Sequence, residues 1–485
     1  PARPGTFDTK EIDVSRNAID EYRAFVASKL STIAPAGIDS PDVRDAWLAP
    51  FQRDLVSWAL RRGRCAIFAS TGLGKTRMEL AWADRIARHT GRPVLVLAPL
   101  AVAPQTVREA GICGIDAVYA KDPADAGTSP VVVTNYERLH RFDPRAYGGV
   151  VLDESSVIKH HDAKTPGVLM DAFARTPFRL GATATPSPND YAELGTHSEF
   201  LGIRSRAEML SEWFCHDGGE TQKWRLKRHA AASFWRWVAT WGALVRHPRD
   251  LGYDDARYDL PPLRVHEHVI PADQAETFAS GMLIAEQARG LNEQRAARRA
   301  TMGRRVAECV ALVNADADPW VVWCDLNAES EALSDAIDGA VEVSGADALE
   351  VKEMRLEAFA DRRERVMVSK ASICGWGLNW QHCHKMAFVG VSHSWEAYYQ
   401  AVRRCWRFGQ TKPVDVHLFT SEAEGAVLAN LMRKDRDAEA MAAELSRETA
   451  AIVRDEVRGS GRESDDYDPR CTMVVPAWVA TGDDE

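Results

Sequence analysis

The stretch Cys65-Ala-Ile-Phe-Ala-Ser-Thr-Gly-Leu-Gly-Lys-Thr76 constrains this chain more than any other. Cys65 to Phe68 is a short apolar run of the kind that makes a buried strand, and Arg77 to Asp84 has helical spacing. Between them, Ala69 to Thr76 is a turn with two glycines. A strand that feeds such a loop into a helix start aims several backbone N–H groups, and the positive end of the helix dipole, at one point. That point suits a polyphosphate. The backbone at Ser70, Thr71, Gly72 and Gly74 would cradle it, Lys75 would reach the β- and γ-phosphates, and the Thr76 hydroxyl would hold Mg²⁺. ATP and Mg²⁺ are therefore the expected cofactors. Ala69 stands where the usual pattern begins with Gly, so the flanking strand and helix carry the reading together with the loop.

Such a loop needs a sheet around it. Val94–Ala98, Val131–Thr134, Gly149–Leu152 and Arg179–Thr183 are short apolar runs separated by helical segments. They predict an α/β fold with a mostly parallel, doubly wound sheet buried on both faces. The third run ends in Asp153-Glu154, which places two carboxylates at the sheet edge where α/β folds bind ligands. Asp153 would complete the Mg²⁺ shell, and Glu154 would orient and deprotonate an attacking water. Thr183 and Thr185, after the next strand, alternate onto one side and can sense that pair by hydrogen bonding. Gln52 opens a helix upstream of the loop, and its amide can pair with the edge of an adenine.

At 485 residues the chain is too long for one core. The expected division is a helical appendage over 1–45, a first domain over 46–260, a second over 261–425, and a helix with an acidic tail over 426–485. Pro261-Pro262 marks the junction. The second half repeats the strand pattern, at Trp320–Cys324, Val341–Val343, Arg365–Ser369, Met386–Val389 and Val414–Phe419, without a phosphate loop. It carries Gly377 in a glycine-rich turn and then Gln400, Arg404 and Arg407, which share one face of a helix. One Gln and two Arg presented across a cleft suit a phosphate chain whose charge grows during hydrolysis.

Phe51-Gln52, the Ala69–Thr76 loop, Pro99-Leu100 with Gln105, Thr134-Asn-Tyr-Glu137, Asp153-Glu154 and Thr183-Ala-Thr-Pro186 follow one another in order. In this they resemble the successive motifs of a superfamily-two helicase, with Asp-Glu-Ser-Ser in place of the usual Asp-Glu-Ala-His. Ile158-Lys159, Ser372 to Gln381 and Gln400 to Gln410 are similar to the Swi/Snf branch. The resemblance implies two RecA-like domains facing each other across an ATP site, and a motor that tracks along duplex DNA without necessarily separating strands. Strand-separating unwinding of DNA or RNA stays open as an alternative, as does a motor subunit or nucleic-acid-binding scaffold of a larger assembly.

Net charge is −10, which excludes a globally basic nucleic-acid binder; local patches would have to serve. The span 196–258 departs from the alternating pattern and is expected as a helical insertion. Between Glu220 and Asp250 it has no acid, while Lys223, Arg225, Lys227, Arg228 and Arg246 are interleaved with Trp224, Trp235, Trp237 and Trp241. We expect the tryptophans mostly in a core and the cations on nucleic acid. The ending Arg246 to Tyr253 resembles phage and prophage members of the branch. A second basic segment, within an expected helical insertion over 272–313, holds Arg298, Arg299, Arg304 and Arg305. The nine cysteines lack paired spacing and read as reduced thiols of a cytoplasmic protein. No apolar run is long enough for a membrane span. His382-Cys383-His384 would point apart in a strand or turn, which argues against a zinc site.

Overall fold

The computed structural model describes residues 37–99, 102–158, 164–187, 190–216, 224–271, 301–374, 379–390, 394–421 and 449–458, with isolated positions between 429 and 436. Two wholly parallel sheets organise these residues. The first contains β1 (Arg64–Ala69), β2 (Val94–Ala98), β3 (Ala117–Tyr119), β4 (Val131–Asn135), β5 (Gly149–Asp153), β6 (Phe178–Thr183) and β9 (Gly242–Val245). Their order is β3-β4-β2-β5-β6-β1-β9. Strands β2, β4 and β5 are buried along their whole length, which is why they read as continuous apolar runs. Because every pair is parallel, the C-terminal ends of all these strands share one edge, and the chemistry-bearing residues collect there.

Helix α1 (Pro50–Arg62) has Pro50 in its first turn, where a missing N–H costs nothing. Helix α2 (Lys75–Thr90) starts from a left-handed Gly74. Helices α3 (Ala103–Ile112) and α4 (Lys164–Phe173) are the crossovers behind β2 and β5.

The span expected as a helical insertion is mixed. It holds α5 (Leu194–Leu201), α6 (Arg206–Trp213), an antiparallel ribbon of β7 (Phe214–His216) and β8 (Trp224–Leu226), and α7 (Ala231–Ala239). It then returns to the sheet, where Ala66 to Ala69 of β1 pair with Gly242 to Val245 of β9. Four apolar residues behind a tryptophan-rich helix are too few to show a strand period. The tryptophans do pack inward. Trp235 and Trp241 are buried, and Trp237 stacks on Trp213 with ring centroids 4.6 Å apart.

The second sheet runs β10-β15-β14-β11-β13-β12. Its strands are β10 (Leu263–Ile270), β11 (Trp320–Cys324), β12 (Ala340–Val343), β13 (Val366–Lys370), β14 (Lys385–Val389) and β15 (Val414–Ser421). Helices α8 (Met302–Asn314), α9 (Asn327–Ala336), α10 (Leu349–Ala360) and α11 (Trp395–Val402) accompany it. Arg305, grouped by sequence with a basic surface, is instead fully buried and pairs with Glu329 at 2.9 Å. Arg298 and Arg299 lie outside the described residues.

After β15 the chain comes back to the first lobe. Val453 and Val457, in the helical run 449–458, join the core formed by α1, β1 and α2. Arg62 pairs with Glu456 there, and Arg61 donates to the Val457 carbonyl at 3.0 Å. No helix among the described residues is long and apolar enough to cross a membrane.

Candidate nucleotide site

The loop between β1 and α2 is shaped by its neighbours as much as by its glycines. Gly72 has φ +93° and Gly74 φ +78°, a region that side chains with a Cβ adopt only at a cost. A Cβ on Gly72 would stand 2.7 Å from the backbone N of Phe408, which belongs to the second lobe. One on Gly74 would overlap Gln52 Nε2. Gln52 is buried, its Nε2 donating to the Leu73 carbonyl at 2.8 Å and its Oε1 accepting from Ala49 N–H at 2.8 Å. Its amide therefore braces the loop; both ends are committed to backbone, and pairing with a base would require those bonds to break.

Lys75 donates to the Ala69 carbonyl at 3.0 Å. Burial lowers its pKa, opposed by Glu154, Glu79 and Asp153. Asp153, at the end of β5, is 4% exposed, and its Oδ2 has no hydrogen-bond partner among the described residues. Burial, and then Glu154, push its pKa up to about 7. Glu154 has φ +54°, a left-handed turn that costs about 1–3 kcal/mol in a residue with a Cβ. The surroundings hold it there: Thr183 Oγ1 donates to Glu154 Oε2 at 3.2 Å, and Ser155 Oγ lies 3.2 Å from His197 Nε2. Thr185 donates its backbone N–H to Thr183 Oγ1 at 3.2 Å, while its own hydroxyl has no partner among the described residues.

From the second lobe come Gln400, Arg404 and Arg407. Helix α11 ends at Val402, so the two arginines follow in a turn and do not continue a helical face as the spacing predicts. Side-chain bonds restore the grouping: Arg404 donates to the Gln400 carbonyl and to Gln400 Oε1, both at 2.9 Å. Burial lowers the pKa of both guanidiniums, and Glu154 of the first lobe opposes it in each. Phe408, the residue after Arg407, sits against Gly72 of the phosphate loop, so this turn of the second lobe faces the first. Gly377 lies outside the described residues.

These groups fit Mg²⁺ with a polyphosphate. The loop has no room for a Cβ at either glycine, the lysine is parked on a carbonyl, and a buried carboxylate oxygen lacks a partner. No group of three His, Cys, Asp or Glu among the described residues could hold a metal alone. Mg²⁺ takes one or two carboxylates and fills its shell from phosphates and water. Asp153, through its unpartnered Oδ2, and Thr76, in the first turn of α2, are the residues that could hold such an ion.

Sequence reasoning missed three supports. Tyr136 Oη donates to the Asp153 carbonyl at 2.7 Å, His197 anchors the residue after Glu154, and Glu79 is buried one helical turn beyond Lys75. Tyr136 stands in a stretch singled out for order alone. Glu79 lies in phase with Trp82, Ala83 and Ile86, so its helical position is the signal that could have found it.

The cations proposed for nucleic acid scatter. Arg225 and Arg228 are exposed. Lys227 instead donates to the carbonyls of Ser211 and Glu212 at 3.1 and 2.9 Å. Arg246 lines a cavity of about 510 Å³ beside the phosphate loop, with Ser70 to Leu73, Tyr258 and Phe408, so it sits with the nucleotide site and apart from Arg225. Lys223 is outside the described residues. A larger cleft of about 1330 Å³ separates the lobes on the Glu154 side; Glu137, Glu350, Glu353, Glu357 and Asp361 line it against Arg108 and Lys352. Such a lining repels phosphates.

No protein-family model matches the chain, and no curated protein matches it. Among solved structures, the Sulfolobus solfataricus SWI2/SNF2 ATPase core in complex with dsDNA is similar to it, at 17% identity and a TM-score of 0.40, over 86% of this chain and 98% of that one.

Proposed function

We propose that the chain is an ATP-hydrolysing motor stimulated by nucleic acid, with duplex DNA as its track. One observation carries the reading: Lys75, Asp153 and Glu154 stand at the C-terminal edge of one sheet, and Phe408, the residue after Arg407 of the other lobe, sits against Gly72 of the phosphate loop. The order of motifs along the sequence supports the same reading. Lys75 would leave the Ala69 carbonyl for the β- and γ-phosphates, and Thr76 and Asp153 would hold Mg²⁺, whose charge would offset the one that builds up on the phosphate chain. Glu154 takes the proton of the attacking water. Arg404, braced by Gln400, and Arg407 stabilise the charge from the opposite side, so the site is complete only when the lobes close. Thr183 reports the state of Glu154 to the strand end that follows.

Duplex DNA is the proposed track, and the exposed Arg225 and Arg228 are its proposed contacts on the first lobe. The acidic cleft is not offered to phosphates in this arrangement of the lobes.

The test is steady-state ATP hydrolysis without nucleic acid and with single-stranded DNA, blunt duplex DNA or single-stranded RNA, using Glu154→Gln as the control. Duplex DNA should stimulate turnover most. Glu154→Gln should bind ATP and fail to turn it over. Stimulation by single strands alone would replace the duplex track with strand-separating activity, and turnover by Glu154→Gln would remove that residue from the role of base.

A further inference from the structure

Glu79 is the least explained side chain near the candidate site. It stands on α2 one turn after Lys75, is 1% exposed, and neither of its carboxylate oxygens has a hydrogen-bond partner among the described residues. A buried carboxyl without partners costs several kcal/mol relative to an apolar side chain of similar size. Nothing in the packing of α2 requires it, since its neighbours Met78, Leu80, Trp82 and Ala83 are apolar and fully buried. Helix α2 packs on β5, the strand that ends in Asp153, whose own Oδ2 is also without a partner. Two adjacent elements thus bring unpartnered carboxylate oxygens to the place where the phosphate loop ends.

We infer that Glu79 is a positioning carboxylate of the Mg²⁺ site, accepting hydrogen bonds from the waters that complete the ion's shell beside Asp153. The inference rests on the nucleotide-site reading above. Mg²⁺ dehydrates reluctantly and keeps several waters, and those waters need acceptors in the protein. Thr76 approaches from the first turn of α2 and Asp153 from the end of β5; Glu79 supplies acceptors from one turn further along α2. Burial holds the Glu79 carboxyl well above the usual carboxylate range, with Asp153 adding to the shift and Lys75 opposing it. Glu79 does not touch the reacting atoms in this account; it fixes where the ion's water shell sits.

Metal binding gives a readout that turnover does not. Mn²⁺ affinity would be measured by the loss of the free-ion electron paramagnetic resonance signal in the protein–ADP complex, and fluorescent ADP would be titrated separately in Mg²⁺ and in EDTA. Glu79→Gln should weaken Mn²⁺ binding roughly 10- to 100-fold, the usual cost of removing an outer-shell partner. Its ADP affinity in EDTA should stay within about 2-fold of the parent, because the phosphate loop is untouched. Glu79→Met, an apolar side chain suited to a buried helix face, repeats the test if the amide variant does not fold. Unchanged Mn²⁺ affinity would overturn the inference while leaving the nucleotide site standing. An equal loss of ADP binding in Mg²⁺ and in EDTA would also overturn it, by showing a structural role. Failure of the unaltered chain to bind ADP at all would overturn the nucleotide-site reading itself, and this inference with it.

Discussion

At the scale of single residues the candidate site depends on space as much as on charge. Gly72 combines φ +93° with a position at which a Cβ meets the Phe408 backbone at 2.7 Å. Neither the loop nor the second lobe can yield without moving the other. Gly72→Ala should therefore lower ADP affinity by about 10-fold or more, corresponding to roughly 1.4 kcal/mol. Gly111→Ala on α3, where a Cβ meets nothing within 4 Å, should leave ADP affinity unchanged. Fluorescent-ADP titration of both variants checks this; equal affinities would show that the loop relaxes around a methyl group. The positions of Lys75, Thr76, Asp153 and Glu154 at the ends of β1 and β5 were legible in the sequence because a strand followed by a chemistry-bearing turn leaves a local mark. Gln52 was legible as a residue but not in its bonds, since pairing to Leu73 across 21 positions leaves no local trace. Glu79 was legible only through its phase with Trp82, Ala83 and Ile86, since a glutamate taken by itself reads as solvated.

Elements were legible where burial was two-sided and misread where they were short. The apolar runs of β1, β2, β4, β5 and β6 fall within a residue or two of their expected bounds, because a strand covered on both faces is mostly apolar, its few polar residues gathering near the ends. Strand β9 was read as part of a helical insertion, and the helix carrying Gln400 was read as longer than it is. Both depend on tertiary pairing, to β1 and through Arg404. The run 449–458 shows the same dependence. Its charge is visible in the sequence, but its destination on the first lobe is set by two valines, 1% and 2% exposed. Val457→Asp should place an unpaired charge against the core of α1, β1 and α2, at a cost of about 3 kcal/mol. A melting temperature lower by about 6–12 °C is expected if the segment stabilises a lobe of roughly 200 residues. An unchanged melt in calorimetry would mean that the segment detaches without loss to the lobe.

At the scale of the whole molecule the question is what holds the lobes in register. Among the described residues, two of the contacts between them differ in kind. Arg108 on α3 pairs with Glu357 on α10 across the large cleft, but both side chains are at least half exposed, and pairs of that sort contribute about 0–1 kcal/mol. On the other side an aromatic series runs from Phe51 of α1 to Tyr258 and Phe408, with centroid distances of 5.2 and 4.5 Å. Phe408 follows Arg407 directly, so its seat against Gly72 also sets where the arginines stand. The aromatic contact should therefore govern coupling between the lobes, and the ion pair should not. Phe408→Ala should keep ADP binding within about 3-fold while lowering ATP turnover at saturation by 10-fold or more, about 1.4 kcal/mol in the barrier. Glu357→Ala should change turnover by less than about 2-fold. A larger loss in Glu357→Ala than in Phe408→Ala would reverse the assignment, making the acidic face of the cleft, and not the aromatic seat beside the phosphate loop, the element that brings Arg404 and Arg407 to Glu154.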